Sequence, residues 1–322
     1  MNILEIKNLT TKLSSDRGIV TAVDNVSLHL KKGEILGLVG ESGCGKSMTA
    51  MSIMQLLSKN QSKIEGEILF SGKNMLEMSE KELNEIRGNK IAMIFQDVMT
   101  SLNPLMTIGQ QIMEPMMVHK GMRKQEAKKQ AVELLEAVGI PMPEKRVDEY
   151  PNSLSGGMRQ RVMIAIALSC TPEILIADEP TTALDVTIQA QILELMKKIR
   201  EKYGTAIIMI SHDLGVISEM CDRAAVMYCG NIVEEGTIEQ IFSAPTHPYT
   251  KGLLKSIPVL DKQVDELYSI PGVVPPLYNL PTGCKFADRC SLKCEDCTKA
   301  LPELREIEEG HYVRCIGGEN DE

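Results

Sequence analysis

A glycine-rich segment that follows a short apolar run constrains the fold of this chain more than any other feature. Residues 34–39 read Glu-Ile-Leu-Gly-Leu-Val, which predicts a buried strand, and residues 47–57 form a helix-favouring run without Gly or Pro. Between them, residues 40–47 read Gly-Glu-Ser-Gly-Cys-Gly-Lys-Ser and match G-x-x-x-x-G-K-[ST]. Glycines let several backbone N–H groups turn toward one anion, and a helix N-terminus adds partial positive charge there. The segment therefore predicts an α/β fold with a phosphate-binding loop, or P-loop.

The loop contains side chains suited to a nucleotide. We expect Lys46 to reach the β- and γ-phosphates and the Ser47 hydroxyl to bind Mg²⁺. A glycine-rich turn with an incidental lysine is the alternative, and the flanking strand and helix argue against it. Cys44 could act as a redox switch, but a small side chain tolerated at a variable position is the simpler interpretation. The predicted nucleotide-binding residues of this segment are Gly40, Ser42, Gly43, Cys44, Gly45, Lys46, Ser47 and Met48.

A second predicted strand ends in two acidic residues. Residues 174–177 are apolar, and Asp178 and Glu179 follow them directly. Phosphoryl transfer depends on charge neutralisation and in-line positioning, so carboxylates at a strand end suit a metal ion and an attacking water. We expect Asp178 to hold Mg²⁺, directly or through water, and Glu179 to polarise the attacking water. A pair that merely caps the next helix is the alternative.

Further short motifs complete a resemblance to one protein family. Residues 154–160 read Leu-Ser-Gly-Gly-Met-Arg-Gln, and residues 183–185 read Ala-Leu-Asp. Gln96 follows the apolar run 91–95, and His212 follows the predicted strand 206–211. With the P-loop and the acidic pair, this ordered set resembles the ATP-binding cassette (ABC) ATPase subunits of transporters. The resemblance implies a P-loop NTPase nucleotide-binding domain, in which a mixed sheet core carries an antiparallel β subdomain and a helical subdomain.

The same resemblance implies a role for each motif. Gln96 matches the Q-loop glutamine and is expected to bind Mg²⁺ together with Ser47 and Asp178. His212 matches the switch histidine that contacts the γ-phosphate; a lone histidine after a strand would otherwise be interpreted as structural. The expected catalytic residues are Glu179, His212 and Lys46. The signature residues Ser155, Gly156, Gly157 and Gln160, with Asp185 of the D-loop, are expected to complete an ATP site at a dimer interface, where the signature acts on ATP held by the partner subunit.

The chain departs from the family where the adenine base is expected. ABC ATPases usually stack adenine on an aromatic side chain ahead of the P-loop, but residues 10–20 contain no Phe, Tyr or Trp. Leu13 is the predicted adenine neighbour. Because aromatic stacking adds about 0.5–1.5 kcal/mol beyond area burial, we expect modest affinity for the base.

The C-terminal part narrows the resemblance to one subfamily. Residues 246–251 read Thr-His-Pro-Tyr-Thr-Lys, and this run, with residues 95–104, resembles the ATPases of oligopeptide and dipeptide permeases, whose relatives include nickel and metallophore importers. We therefore predict an ABC ATPase domain over 1–245, with a helical subdomain at about 97–170, and a C-terminal extension over 246–322. The cargo stays open, because partner subunits select it.

Five of the nine cysteines gather in this extension. The family's cysteine spacing is matched by Cys284, Cys290, Cys297 and Cys315, and Cys294 is extra. Four thiolates fit either tetrahedral zinc or an iron–sulfur cluster. The resemblance favours a 4Fe–4S cluster, so the extension is predicted to be a small metal-binding one; zinc and no metal are the alternatives.

Composition bounds the partners. The net charge of −9 argues against a nucleic-acid-binding surface, and no run approaches the roughly 18 apolar residues of a membrane-spanning helix. The N-terminus lacks a signal-peptide pattern, so we expect a peripheral protein at the cytoplasmic face of the membrane. Its expected partners are a second ABC ATPase subunit, two transmembrane permease subunits and an extracytoplasmic peptide-binding protein. The predicted function is ATP hydrolysis that energises the import of di- and oligopeptides, and a nickel or metallophore importer ATPase is the alternative. A soluble ABC ATPase acting on DNA or ribosomes and an ATP-holding regulatory module are the rival functions.

Overall fold

The computed structural model describes residues 1–15, 18–97, 101–181, 185–257 and 268–317. They form two compact units, which are not continuous in sequence. The first unit comprises Met1, residues 31–34 and residues 77–209, and the second comprises residues 2–30, 35–76 and 210–322. The predicted range 1–245 includes parts of both units, the predicted range 246–322 lies in the second, and both ranges stay predictions.

Strands and helices are numbered here in chain order. The strands are β1 (Asn2–Ser15), β2 (Gly18–Lys31), β3 (Ile35–Val39), β4 (Ser62–Phe70), β5 (Lys73–Asn74), β6 (Ile91–Ile94), β7 (Ile174–Asp178), β8 (Ala206–Ser211), β9 (Arg223–Tyr228), β10 (Asn231–Thr237), β11 (Arg305–Glu308) and β12 (His311–Val313). The helices are α1 (Lys46–Ile53), α2 (Glu80–Ile86), α3 (Ile108–Lys120), α4 (Lys124–Ala137), α5 (Pro143–Arg146), α6 (Gly156–Leu168), α7 (Val186–Tyr203), α8 (Leu214–Met220), α9 (Ile238–Ser243) and α10 (Pro248–Lys255).

The second unit contains a four-stranded sheet with the order β2-β1-β4-β5. Strands β1 and β4 pair antiparallel, with Leu4 opposite Phe70 and Leu13 opposite Ser62, and β4 pairs antiparallel with β5. Alternation along β1 buries Leu4, Ile6 and Leu9. This sheet is the predicted antiparallel β subdomain.

A mixed set of strands in the same unit carries the P-loop. Its order is β11-β12-β10-β9-β3. Strand β3 runs parallel to β9, whereas β9 and β10, and β10 and β12, pair antiparallel. The extension therefore adds its last two strands to this sheet beyond β10.

The first unit combines a parallel sheet with the predicted helical segment. Strands β8, β7 and β6 are neighbours in that order, and β6 and β7 run parallel. Helices α3 and α4 of this segment both pack on α6. A capping box at Thr107 and Gln110 begins α3, and Gly121 ends it in the left-handed region at φ 62°. Helix α4 buries Ala127, Ala131 and Leu135, which follow one another four residues apart on one face.

Helix α1 is shorter than predicted. The sequence favoured a helix to residue 57, but α1 ends at Ile53. Gln55 takes φ +49°, and its side-chain amide donates a hydrogen bond to the Met75 carbonyl. Because of this tertiary contact, the helix ends before the last residues of the helix-favouring run 47–57. Within the described part of the chain, no helix is both long and apolar enough to cross a membrane.

One buried carboxylate joins β10 to two segments of the extension. Glu234 is fully buried and accepts hydrogen bonds from the N–H groups of Thr246 (2.7 Å) and His247 (2.9 Å). Its Oε1 also lies 2.9 Å from Nε2 of His311 in β12. These contacts satisfy both oxygens of a carboxylate that would be costly to bury alone.

Replacing Glu234 by Ala is therefore expected to lower the free energy of unfolding by about 3 kcal/mol, because buried donors lose their acceptor. Glu234→Gln keeps one acceptor oxygen and should cost less. Urea unfolding of the full chain measures both. Glu308→Ala in exposed β11 is the control, expected within about 0.5 kcal/mol of the unmodified protein. Equal losses in Glu234→Ala and Glu308→Ala would contradict this role.

Candidate functional site

The P-loop lies between β3 and α1, as predicted, and its glycines are required by close approaches of the main chain. Gly40 and Gly45 have φ values of +149° and +109°. A Cβ atom at Gly40 would lie 2.3 Å from the Met227 carbonyl oxygen, and one at Gly45 would lie 2.6 Å from the Ala22 carbonyl oxygen. Any larger residue would push the loop away from both strands.

Lys46 is buried inside this loop. The residue is 5% exposed, and its Nζ donates hydrogen bonds to the carbonyl oxygens of Gly40 (2.7 Å) and Glu41 (3.1 Å). Carbonyl dipoles offset only part of the cost of burying an ammonium group. A phosphate oxygen in the loop would supply an anionic partner, so the geometry suits the predicted role of Lys46.

The remaining P-loop residues differ in exposure. Ser42 and Gly43 are exposed, Ser47 and Met48 are half-buried, and Leu13 is half-buried in β1. Cys44 is buried, and burial raises the pKa of its thiol, although the Lys46 charge and hydrogen bonds act in the opposite direction. A protonated thiol is a poor nucleophile, which favours a packing role for Cys44 over a redox switch.

In the first unit, the structure brings the predicted Q-loop glutamine to the predicted catalytic carboxylate. Nε2 of Gln96 donates a hydrogen bond to Oε2 of Glu179 at 2.8 Å. Glu179 adopts φ +48°, a left-handed conformation that strains a non-glycine residue. Asp178, the last residue of β7, is 4% exposed. Strained backbone at the end of a buried strand is typical of functional sites, and here it directs Glu179 to Gln96.

The signature segment begins helix α6. Ser155 is the N-cap residue, its side chain makes no capping hydrogen bond, and both Ser155 and Gly156 are exposed. A Cβ atom at Gly156 would meet nothing within 4 Å. The first turn of α6 is therefore open to an anion from outside, as the family resemblance implies. Gly157 is half-buried.

Gln160, the last of the predicted signature residues, is buried. It is 1% exposed, and its Nε2 donates a hydrogen bond to the Pro180 carbonyl at 2.6 Å. The physical reason is that α6 is buried all round from Gln160 to Ala165. Gln160 therefore contacts the turn after Glu179, and its predicted part in a shared ATP site stays a prediction.

The D-loop and switch residues both lie next to helix starts. Asp185 is exposed and caps α7 by accepting a hydrogen bond from the Ile188 N–H at 2.9 Å, while Ala183 and Leu184 lie outside the described residues. His212 is exposed directly after β8. Asp213, the next residue, caps α8. The predicted roles of Asp185 and His212 in ATP hydrolysis stay predictions.

Comparison with known proteins decides the family. An ABC transporter family model matches residues 23–182, and a model of the oligopeptide/dipeptide transporter C-terminal region matches residues 233–297. The oligopeptide transport ATP-binding protein AppD of Bacillus subtilis is 53% identical over 98% of this chain and 96% of its own length. The oligopeptide transport ATP-binding protein OppD of Haemophilus influenzae is 50% identical over 97% of this chain and 96% of its own. The chain belongs to the ATP-binding subunits of oligopeptide/dipeptide ABC transporters.

A solved structure supports the fold of this ABC ATPase. A dimeric ATP-binding cassette in a post-hydrolysis state, bound to ADP and phosphate, shares 32% identity and a TM-score of 0.67, covering 73% of this chain and 98% of that chain. The predicted family, ATPase activity and P-loop α/β fold are thereby confirmed.

The metal-binding part of the fold prediction is not supported. In the ABC ATPase, Cys284, Cys290 and Cys315 are half-buried and Cys297 is buried. Burial, with the nearby thiols of Cys297, Cys315 and Cys290, raises the pKa of Cys284 to about 11, so these cysteines share one neighbourhood. However, among the described residues no three His, Cys, Asp or Glu side chains are arranged to hold a metal ion.

One sulfur contact involves a cysteine that is not in the predicted ligand set. Sγ of Cys297 lies 3.2 Å from Sγ of Cys294, the exposed cysteine outside the family's spacing. Hydrogen bonds with Cys297 lower the pKa of the Cys294 thiol. Cys297 is thus paired with a cysteine outside the predicted ligand set.

Sequence reasoning missed two residues of the extension that contact the P-loop. The hydroxyl of Tyr249 accepts a hydrogen bond from the Glu41 N–H at 2.8 Å. The Arg289 guanidinium donates to both carboxylate oxygens of Glu41, at 2.7 and 3.1 Å. Tyr249 lies in the run that indicated the subfamily, so its presence was noted but not its contact. No spacing pattern pointed to Arg289.

Gly45→Ala is expected to weaken ATP binding by at least about tenfold, which corresponds to roughly 1.4 kcal/mol, because Cβ would displace the loop from Ala22. Titration of the full chain with ATP measures the dissociation constant. Gly72→Ala is the matched control: Gly72 has φ +80°, but a Cβ atom there meets nothing within 4 Å. A normal dissociation constant in Gly45→Ala would show that the close approach is not required.

Proposed function

We propose that this ABC ATPase hydrolyses ATP to energise the import of di- and oligopeptides through a membrane transporter. The contact between Gln96 and Glu179, at 2.8 Å, carries the hydrolytic part, because it places a polar amide against the carboxylate assigned to the attacking water. The peptide cargo is supported by relatives named as oligopeptide transport proteins and by the match over residues 233–297.

In the proposed reaction, the backbone of residues 40–47 cradles the phosphates and Lys46 offsets the charge of the β- and γ-phosphates. Glu179 polarises the attacking water, and His212 contacts the γ-phosphate. Leu13 packs against the adenine. The carboxylate, hydroxyl and amide oxygens of Asp178, Ser47 and Gln96 are the hard donors that Mg²⁺ prefers, and the metal would neutralise phosphate charge when bound. Because Nε2 of Gln96 donates to Glu179, its Oε1 remains as the ligand atom.

We propose that two ATPase subunits share each ATP. Ser155, Gly156 and Gly157 would bind the γ-phosphate held by the partner subunit's P-loop, with Asp185 of the D-loop beside them. The exposed, uncapped start of α6 supports this role, as does the dimeric state of the related cassette. The partner is proposed to be a paralogous subunit.

The remaining partners are two permease subunits and an extracytoplasmic peptide-binding protein, with the ATPase peripheral at the cytoplasmic face. An apolar groove of about 460 Å³ in the first unit supports a permease contact. Its lining includes Leu105 and Val118, which are 85% and 70% exposed, and Met117. Met113 and Met116 of the same helix are buried, so some methionines of α3 pack in the core and others lie at the surface.

Glu179→Gln is expected to lower ATP turnover by at least about a hundredfold, because it removes the carboxylate assigned to the attacking water. ATP binding should persist, and an ATP-bound dimer should accumulate. Phosphate release and size-exclusion chromatography in ATP measure the two effects.

Glu173→Gln is the matched control, since Glu173 pairs with Lys90 at 2.8 Å just before the same strand. Its turnover should stay within about twofold of the unmodified protein. Normal turnover in Glu179→Gln would remove Glu179 from its proposed role.

An iron–sulfur cluster in the extension is retained as a proposal, with zinc as the alternative. The shared neighbourhood of Cys284, Cys290, Cys297 and Cys315 supports it, but the sulfur atoms would have to move to close a ligand set. Protein purified without oxygen should be brown and contain iron and sulfide, and Cys297→Ser should lose both. Cys294→Ser is the control and should retain them. Colourless protein with bound zinc, or without metal, would contradict the cluster.

A further inference from the structure

The extension contacts one residue of the P-loop, Glu41, at both its main chain and its side chain. Glu41 follows the first glycine of the loop, and its N–H donates to the Tyr249 hydroxyl at 2.8 Å. Its carboxylate accepts two hydrogen bonds from Arg289, at 2.7 and 3.1 Å, a paired geometry that fixes direction as well as distance. Both the backbone and the side chain of Glu41 are therefore held by residues far along the chain.

Arg289 is itself rigidly placed. Its side chain is 5% exposed, its Nε donates to the Pro271 carbonyl at 3.0 Å, and a terminal nitrogen donates to the Ile270 carbonyl at 3.3 Å. The guanidinium also lies 5.8 Å from the ring centre of Tyr228 and 5.9 Å from that of Phe286. With so many fixed partners, Arg289 transmits the position of the segment around it to Glu41.

Tyr249 is held by aromatic packing. It is fully buried, and its ring lies 4.7 Å from that of Tyr228 and 5.4 Å from that of Phe286, measured between centroids. His247, at the start of α10, accepts a hydrogen bond from the Tyr249 N–H at 3.1 Å. The hydroxyl therefore reaches Glu41 from a ring that has little freedom to move.

The main chain at Gly40 and Glu41 also positions Lys46. Nζ of Lys46 donates hydrogen bonds to the carbonyl oxygens of Gly40 and Glu41. These two acceptors belong to the segment that Tyr249 and Arg289 hold in place. The Glu41 carbonyl also accepts a hydrogen bond from the Cys44 N–H at 3.3 Å. A shift of Glu41 would move the lysine and the turn together.

We propose that Tyr249 and Arg289 are positioning residues for nucleotide binding, which act through Glu41 to hold the P-loop in its phosphate-binding shape. The inference rests on ATP binding by this loop and goes beyond it, because it gives the extension a direct part in setting ATP affinity. The extension would thus tune the ATPase independently of any metal in its cysteines.

The sharpest test is Tyr249→Phe, which removes one oxygen atom and keeps the buried ring. The dissociation constant of ATP, measured on the full chain, should rise about fivefold, which corresponds to roughly 1 kcal/mol. In the assembled transporter, the KM for ATP should rise while kcat changes by less than about twofold. Tyr268→Phe is the control, because Tyr268 also lies in the extension but is 45% exposed and takes no part in the contacts with Glu41. It should bind ATP within about twofold of the unmodified chain.

A double-mutant cycle tests the ion pair. Arg289→Ala and Glu41→Gln should each raise the dissociation constant by about tenfold, and the double variant by no more than either alone. Arg289→Lys, which keeps the charge but loses the fork, should restore only part of the affinity.

Tyr249→Phe and Glu41→Gln could instead lower the melting temperature and leave the ATP affinity unchanged. These contacts would then only stabilise the extension, and the inference would be overturned. Additive effects in the cycle would overturn the Arg289 part. If the unmodified chain bound no ATP, both the proposed function and this inference would be wrong. Normal ATP binding in every variant would instead overturn this inference alone.

Discussion

The structure around the P-loop depends on close main-chain approaches that leave no space for side chains. Gly45 lies against Ala22 of β2, and Gly40 lies against Met227 of β9. Main-chain hydrogen bonds continue this contact, because the Gly230 N–H donates to the Cys44 carbonyl at 2.8 Å and the Asp24 N–H donates to the Gly230 carbonyl at 2.9 Å. The two sheets of the second unit therefore meet at the loop. The register of each sheet determines whether the loop can keep its phosphate-binding shape.

Local sequence patterns predicted the elements that are decided locally. Apolar runs gave β3, β7 and β8 within about a residue, and the cap residues Thr107 and Gly121 mark the bounds of α3. The predictions failed where a tertiary contact decides. Helix α1 ends early because Gln55 bonds to Met75, and β11 and β12 exist because β10 offers them an edge. Neither partner can be identified from the short segments themselves.

The candidate site shows the same division. Motif spacing predicted Lys46, Asp178 and Glu179 as site residues and the family resemblance added Gln96, which the structure brings to Glu179. Spacing could not show that Gln160 turns inward, because that depends on burial of α6 on every side. Cysteine spacing likewise could not show which sulfur atoms approach each other.

The contacts of Glu41 connect the extension to the loop in both directions. A free energy that couples two sites acts equally on each, so if the extension favours the loop conformation that binds ATP, bound ATP must stabilise the extension by the same amount. The Arg289 side chain is almost fully buried, whereas the Glu41 side chain is 30% exposed. Loss of Glu41 would therefore leave a buried charge with weaker partners, which is more costly than an exposed carboxylate without its arginine. The coupling thus makes the order of the extension sensitive to the state of the loop.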